Sequence, residues 1–209
     1  MIMKSLTGYA INEKGDHMDR KEKIDLIAQD LPTLREIKNP ELAEQVADVW
    51  LRTLELSTWD SIGDIPFKDN APGRTLKEHV NACAEMALAA SRIFRKHHGL
   101  ELDEDLLLSF VLIHDVDKAL KYASDGQGGV VISEEGKKIQ HGVLSAMIAR
   151  DCSFSTQMIH LLLTHTPSQK MEPVYPEGVM FRFLDTCDWE VVCRYCIPKD
   201  KERNDKNNL

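Results

Sequence analysis

An apolar run that ends in ionisable side chains constrains this chain more than any other feature. Residues 106–113 are apolar except for Ser109, so the run is expected to be fully buried. It is followed directly by His114, Asp115 and, two positions later, Asp117. A charge at the buried end of a core segment is strongly unfavourable unless it has a partner. A bound metal ion would be such a partner.

The length of this segment favours a helix over a strand. Residues 105–122 contain no glycine or proline, are rich in Leu and Ala, and exceed the length of an ordinary strand. We therefore predict one buried helix over this range. In it, His114 and Lys118 share a face, and Asp115 points about 100° away from His114.

The composition is typical of one domain with a sizeable core. The chain has 209 residues, 43% of them hydrophobic, and a net charge of −8. This charge argues against a surface that binds duplex nucleic acid. There is no apolar run of membrane-spanning length and no signal peptide, so we expect a cytoplasmic protein without membrane contact. The five cysteines, an odd number, also suit a reducing compartment.

The chain divides into four stretches. Residues 1–18 have no clear period and form an extension that is a candidate for partial disorder. Residues 19–74 carry helices and a loop that pack on the core, and residues 75–197 form the main domain. The polar tail 198–209 is expected to be disordered. We predict an all-α fold, a single helical bundle with an N-terminal helical extension.

Capping signals locate several of the helices. Asn39 is a predicted N-cap with Pro40 at the first helical position, and Thr75 is a predicted N-cap for a helix that ends before Gly99. Ser155 opens another helix. The further predicted elements are a helix over 19–31, a long loop over 57–75, a strand at 130–132 and helices over 134–150 and 178–196.

Five of the predicted helices place a histidine or an aspartate on an apolar face. These residues are His79, the His114 and Asp115 pair, His141, His165 and Asp185. A single histidine on such a face is more often a hydrogen-bonded core residue than a metal ligand. All of them together are harder to explain in that way, because each buried ring would need a separate partner.

Four imidazoles and two carboxylates that meet in a helical core would form a nitrogen and oxygen site for Fe, Mn, Ni, Co or Zn. Six ligands exceed the number that one tetrahedral ion uses. We therefore expect two divalent ions about 3.5–4 Å apart, with Asp115 between them. The absence of cysteine from the set disfavours a purely structural zinc site.

The order of these residues resembles the HD-domain superfamily of metal-dependent hydrolases, whose motif is H…HD…D on an all-helical core. The two intermediate histidines resemble those of its dinuclear branch. The segment HDVDK (114–118) resembles that branch's HDxGK, with Asp117 where Gly is common. The resemblance covers residues 75–190. It implies a first ion held by His79, His114, Asp115 and Asp185, and a second held by His141, His165 and the bridging Asp115.

The resemblance further implies a metal-dependent hydrolase, most simply a phosphohydrolase that attacks a nucleotide or other small phosphate ester with a metal-activated water. Asp115 and Lys118 are the predicted catalytic residues. Lys118 would bind a phosphate oxygen or assist the leaving group, or it merely pairs with a helix carboxylate. Two alternatives are a dinuclear iron oxygenase of the same superfamily and a non-catalytic binding or regulatory module. The expected partner is a phosphorylated small molecule, and a homo-oligomer is compatible with the sequence.

Several other polar residues are weaker candidates. Arg74 and Arg182 are possible phosphate contacts, although most arginines are simply solvated. For Asp117 a position on a helix surface is the default expectation, and the alternative is that it accepts a proton or forms a hydrogen bond to a histidine beside the site. Asp188 shares a face with Asp185, and we prefer Asp185 because it directly follows an apolar run and matches the order of the family. His160 is set aside, because it points about 140° away from His165 on the same helix.

Overall fold

A computed structural model describes residues 18–69, 71, 73–167 and 170–197, and their regular secondary structure is helical except for one two-stranded sheet. The predicted all-α class is confirmed. The expected disorder of 1–18 and of 198–209 falls outside the described residues, apart from Met18. Within the described part of the chain, no helix is both long enough and apolar enough to cross a membrane.

The N-terminal helices pack on the core. Helix α1 (Arg20–Ile27) begins with a capping box in which Asp19 accepts a hydrogen bond from the backbone of Glu22. A 3₁₀ turn (Pro32–Glu36) follows. Helix α2 (Pro40–Leu56) is capped by Asn39 and contacts α1 and the central helix α4. This segment therefore forms one wall of the bundle.

Two helices form the centre of the bundle. Helix α3 (Leu76–His98) starts at the Thr75 cap and ends at Gly99, whose φ of 64° lies in the left-handed region that favours glycine. Helix α4 (Glu104–Ile113) packs against α3, and all of residues 106–113 are buried. The burial inferred from this apolar run is therefore confirmed.

The prediction of a single helix over 105–122 was wrong. Helix α4 ends at Ile113, residues 114–117 form a turn, and only the short α5 (Lys118–Lys121) precedes strand β1 (Tyr122–Ser124). In the turn, the backbone N–H groups bond to the carbonyl three residues earlier instead of four. For example, Lys118 N–H donates to the carbonyl of Asp115 at 3.0 Å. Helix propensity could not reveal this break, because contacts with residues distant in the sequence stabilise the turn.

The C-terminal half completes the bundle. Strand β2 (Val130–Ile132) pairs antiparallel with β1. It is followed by α6 (Glu134–Lys138), α7 (Val143–Asp151), α8 (Thr156–Thr164), α9 (Pro176–Val191) and a π-helical turn (Val192–Cys196). Helix α9 packs on α3 and α8, and α8 packs on α4 and α7. These contacts bring the ends of α4 and α8 towards the same region.

The predicted helix over 134–150 is broken into α6 and α7. Between them Gly142 adopts a φ of 84°, which a right-handed helix cannot contain. A Cβ at this position would lie 2.8 Å from the carbonyl oxygen of Leu162, so the segment approaches α8 closely. His141 therefore belongs to a connection between two helices and not to a helix face.

The end of α4 is held in place by a buried tryptophan. The last carbonyls of a helix have no partner within the helix. The indole Nε1–H of Trp50 donates a hydrogen bond of 2.9 Å to the carbonyl of Leu112, and Trp50 is completely buried. Helix α2 thereby sets the position of the residues that follow α4.

We expect Trp50→Phe to lower the free energy of unfolding by about 1–3 kcal/mol, because the buried Leu112 carbonyl would lose its hydrogen bond. Urea denaturation followed by circular dichroism measures this change. Trp189→Phe is the control, since the indole N–H of Trp189 makes no hydrogen bond to a described residue. A loss no larger than that of the control would contradict this role for Trp50.

Candidate metal centre

Four imidazole rings surround the carboxylate of Asp115. Its Oδ2 atom lies 3.3 Å from His79 Nε2 and 3.4 Å from His114 Nε2. Its Oδ1 atom lies 2.9 Å from His141 Nε2 and 3.7 Å from His165 Nε2. Each oxygen of this one buried carboxylate therefore faces a different pair of rings.

Asp185 joins one of these pairs. Its Oδ1 atom lies 3.2 Å from His79 Nε2 and 3.7 Å from His114 Nε2. We call His79, His114, Asp185 and Asp115 Oδ2 the first cluster, and His141, His165 and Asp115 Oδ1 the second cluster. Ligands about 2.0–2.2 Å from one ion are themselves about 3–3.6 Å apart at usual coordination angles. The separations within both clusters are close to this range.

Two of the rings are oriented by the helices that they terminate. The Nδ1 atoms of His114 and His165 each lie 2.7 Å from the carbonyl oxygen three residues earlier, that of Val111 and that of Leu162. Because a carbonyl can only accept a hydrogen bond, each Nδ1 carries the proton. The lone pair of each Nε2 therefore points into a cluster.

The other two rings are oriented by carboxylates. His79 Nδ1 lies 2.6 Å from Asp188 Oδ2, and His141 Nδ1 lies 3.0 Å from Asp117 Oδ2. These contacts again place a proton on Nδ1, so Nε2 is the nitrogen that a metal ion would bind. Carboxylate–histidine pairs of this kind support metal ligands in many proteins.

The donor set fits divalent metal ions. Within each cluster two Nε2 atoms lie 3.2 Å apart, and two lone pairs at that distance cannot form a hydrogen bond with each other. A cation between them, either a proton or a metal ion, is required. The first and second clusters each bring nitrogen and oxygen donors within metal-binding distance of one another.

Carboxylates cause two of the rings to hold protons when no ion is bound. Burial alone would lower the pKa of His141, but Asp117 and Asp115 raise it to about 10. Burial also lowers the pKa of His79, but hydrogen bonds to Asp115 and Asp185 raise it well above its usual value. Metal binding would displace these protons, so metal ions and protons compete for the same ring nitrogens.

Lys118 places a further positive charge beside Asp115. Its Nζ lies 2.6 Å from Asp115 Oδ2 and 4.9 Å from the ring centroids of both Phe67 and Trp189. Burial alone would raise the pKa of Asp115, but Lys118 and the His114 ring hold it well below its usual value. Asp115 is therefore ionised and able to bridge two cations.

A cleft of about 520 Å³ opens onto this centre. Asp115, Lys118, His141 and Asp185 contribute to its inner wall. The remaining lining residues are Lys121, Tyr122, Thr166, Pro167, Thr186, Trp189 and Glu190. The cleft thus reaches Asp185 of the first cluster, His141 of the second and the shared Asp115, through an opening with aromatic, polar and charged walls.

All six predicted ligands meet at this place, although their role as ligands stays a prediction. Asp185 faces the first cluster, whereas Asp188 lies on the opposite side of the His79 ring. The expectation that Asp117 is a surface residue was wrong. It is only 3% exposed, because the turn after α4 directs it towards His141.

The two arginines suggested as phosphate contacts lie elsewhere. Arg74 donates to the carbonyl of Cys196, and Arg182 donates to Glu172 at 2.7 Å. Neither arginine lines the cleft. Cys83, which is outside the predicted ligand set, also lies near the first cluster, with its Sγ 3.7 Å from His79 Nδ1. Burial raises the pKa of this thiol, which disfavours the thiolate that a metal requires.

A comparison with protein families matches the HD domain over residues 77–190. The chain belongs to the HD domain family. Members of this family are mostly metal-dependent hydrolases, and the matched residues include all six predicted ligands. Comparisons with curated proteins and with solved structures find no significant match. The family match thus supports a metal-dependent hydrolase without naming a substrate.

Removing a ring from the second cluster should reduce metal binding. We expect His165→Gln to bind at least one divalent ion fewer than the wild type, or to bind it much more weakly, because an Nε2 donor is lost. Elemental analysis after loading with Mn²⁺ or Co²⁺ and desalting measures the bound metal.

His160→Gln is the matched control on the same helix. The His160 ring packs against Tyr175 and accepts a hydrogen bond from Val174 N–H at 3.2 Å, away from both clusters. Its metal content should equal that of the wild type. Equal metal content in all three proteins would argue against the second cluster as a metal site.

Proposed function

We propose that this protein is a metal-dependent phosphohydrolase that acts on a nucleotide or another small phosphate ester. The observation that carries the proposal is the position of Asp115. One of its oxygens faces each imidazole pair, and Lys118 lies beside it at the inner wall of an open cleft. The positive charge of Lys118 and of the bound metal ions would suit a substrate whose reacting group is anionic.

We assign His79, His114, Asp185 and Asp115 to one divalent ion, and His141, His165 and Asp115 to a second. The imidazole-rich donor set suits Fe, Mn, Co, Ni or Zn. Such ions supply Lewis acidity and lower the pKa of a coordinated water, which makes hydroxide available near neutral pH. The chain itself contributes fixed rings whose Nδ1–H groups are held by carbonyls or carboxylates.

Lys118 is proposed to bind a phosphate oxygen in the cleft. Its ammonium group lies 4.9 Å from the ring centroids of both Phe67 and Trp189, and Lys118 is only 6% exposed, so the cation has little freedom to move. Burial alone would lower the pKa of Lys118, but Asp115 raises it. Lys118 therefore stays charged throughout the neutral pH range and can stabilise negative charge that develops on the substrate.

Tyr122 offers an uncharged donor at the same opening. Burial raises its pKa to about 12, so its hydroxyl remains protonated at neutral pH. Lys121, one turn after Lys118, lines the cleft as well. We propose that Tyr122 and Lys121 bind the parts of a phosphate ester that do not react.

A screen of small phosphate esters tests this function. We expect turnover with at least one of Mn²⁺, Fe²⁺, Ni²⁺ or Co²⁺, measured as released phosphate or as released alcohol. Asp115→Ala should fall to background, because both clusters lose their shared oxygen donors. Chelation of the metal should abolish the activity of the wild type.

One outcome would contradict the hydrolase and favour a different activity. Stoichiometric iron, consumption of O₂ and no turnover of any phosphate ester would indicate a dinuclear iron oxygenase. One observation favours this second candidate. The donor set contains four imidazole rings and only two carboxylates, and iron binds such a set.

Lys118→Met separates the role of the lysine from that of the ions. The methionine keeps an unbranched apolar side chain of similar length but removes the ammonium group. We expect kcat to fall about 10²-fold, the magnitude typical for the loss of one group that stabilises transition-state charge. Steady-state kinetics and elemental analysis on the same sample measure activity and metal content. Unchanged kcat with full metal content would contradict the proposed role.

A further inference from the structure

Asp117 is a buried carboxylate outside the set of six predicted ligands. Its Oδ2 atom accepts two hydrogen bonds, from His141 Nδ1 at 3.0 Å and from the backbone N–H of Gly142 at 2.6 Å. Among the described residues its Oδ1 atom has no hydrogen-bond partner. Such a group is costly to bury, so its position calls for an explanation.

The backbone of Asp117 is also tied into the centre. Its N–H donates to Ser145 Oγ at 3.2 Å, and the Ser145 hydroxyl donates to the carbonyl of His114 at 3.2 Å. Asp117 therefore connects the turn after α4 with the start of α7. His141 lies in the connection between α6 and α7, where no continuous helix holds it.

The opposite side of this connection is closely packed. A Cβ on Gly142 would lie 2.8 Å from the carbonyl of Leu162, the same carbonyl that accepts the hydrogen bond from His165 Nδ1. The Asp117 carboxylate and the end of α8 thus hold residues 141–142 from two sides. This arrangement places the Nε2 atoms of His141 and His165 at 3.2 Å from each other.

The two clusters differ in their carboxylates. The first cluster contains Asp185 and one oxygen of Asp115, and Asp188 supports the His79 ring from behind. The second cluster contains only the other oxygen of Asp115. Of the described carboxylates, Asp117 is the one that supports a ring of the second cluster from behind. The negative charge near the second cluster depends strongly on it.

We propose that Asp117 is a positioning residue that determines whether the second cluster retains its metal ion, acting through the His141 ring. The proposal rests on the two metal sites of the proposed function. A carboxylate behind a ligating imidazole fixes its orientation and makes it a stronger donor. A glycine, which HDxGK has at this position, could make neither side-chain contact.

The test compares two substitutions that separate charge from geometry. Asp117→Asn keeps an oxygen that can accept from Gly142 N–H but removes the negative charge, and Asp117→Gly removes both. Binding of Co²⁺ and of Mn²⁺ is measured by calorimetry and by elemental analysis, with the visible absorption of Co²⁺ as a spectroscopic readout. Loss of such supporting groups typically weakens metal binding 10–100-fold.

We expect the wild type to bind two ions. Asp117→Asn should bind the second ion about 10–100-fold more weakly with the first unchanged, and Asp117→Gly should lose at least as much. Asp188→Asn is the matched control, because Asp188 supports His79 in the first cluster as Asp117 supports His141 in the second. It should weaken the first ion instead.

Three results would overturn the proposal. They are unchanged binding of both ions by Asp117→Asn, an equal loss of both ions, and a wild type that binds only one ion. The ester screen tests the hydrolase function separately. An enzyme with one ion can still hydrolyse esters, so a failure of the Asp117 proposal would leave that function standing. Conversely, a selective loss of one ion can be measured even if the protein turns over no ester.

A measurement on the wild type covers the case in which the Asp117 variants do not fold. In the protein loaded with Zn²⁺, ¹⁵N NMR of the histidine rings should show Nδ1 of His141 protonated and hydrogen-bonded, with Nε2 bound to the metal. Comparison with His141→Gln assigns the signal. A His141 ring bound through Nδ1 would overturn the proposal.

Discussion

The structure depends on the burial of one carboxylate among four imidazole rings. Asp115 is 2% exposed, and an isolated charge at such a site would destabilise the fold severely. Positive charge from Lys118, from ring protons or from metal ions offsets that cost. The bundle places these groups around Asp115 from four separate segments, so the candidate site forms only when the bundle folds.

The hydrogen bonds at Nδ1 of the four rings determine which ring nitrogen can bind a metal ion. His114 and His165 both lie at the C-terminal end of a helix, and each uses Nδ1 to bind the carbonyl three residues earlier. One contact thus satisfies a helix-end carbonyl and directs Nε2 inward. His79 and His141 have a carboxylate in the corresponding place. Each cluster therefore contains one ring supported by a carbonyl and one supported by a carboxylate.

Much of the fold followed from local patterns. The caps at Asn39, Thr75 and Ser155 and the glycine at Gly99 begin or end helices where the sequence placed them, since a cap is a contact within a few residues. The two breaks at 114–117 and 139–142 were missed. Both depend on buried hydrogen bonds between residues far apart in the chain, which override helix propensity.

The sequence by itself determined that several polar residues on apolar faces would be buried, and that their charge would need a partner. That conclusion requires only the periodicity of the chain and the cost of burying polar groups. Only the tertiary structure decided which ring nitrogen faces which oxygen of Asp115, and that Asp117 lies behind His141 instead of on the surface. These relations are distances between separate segments, and they exist only once the helices have packed.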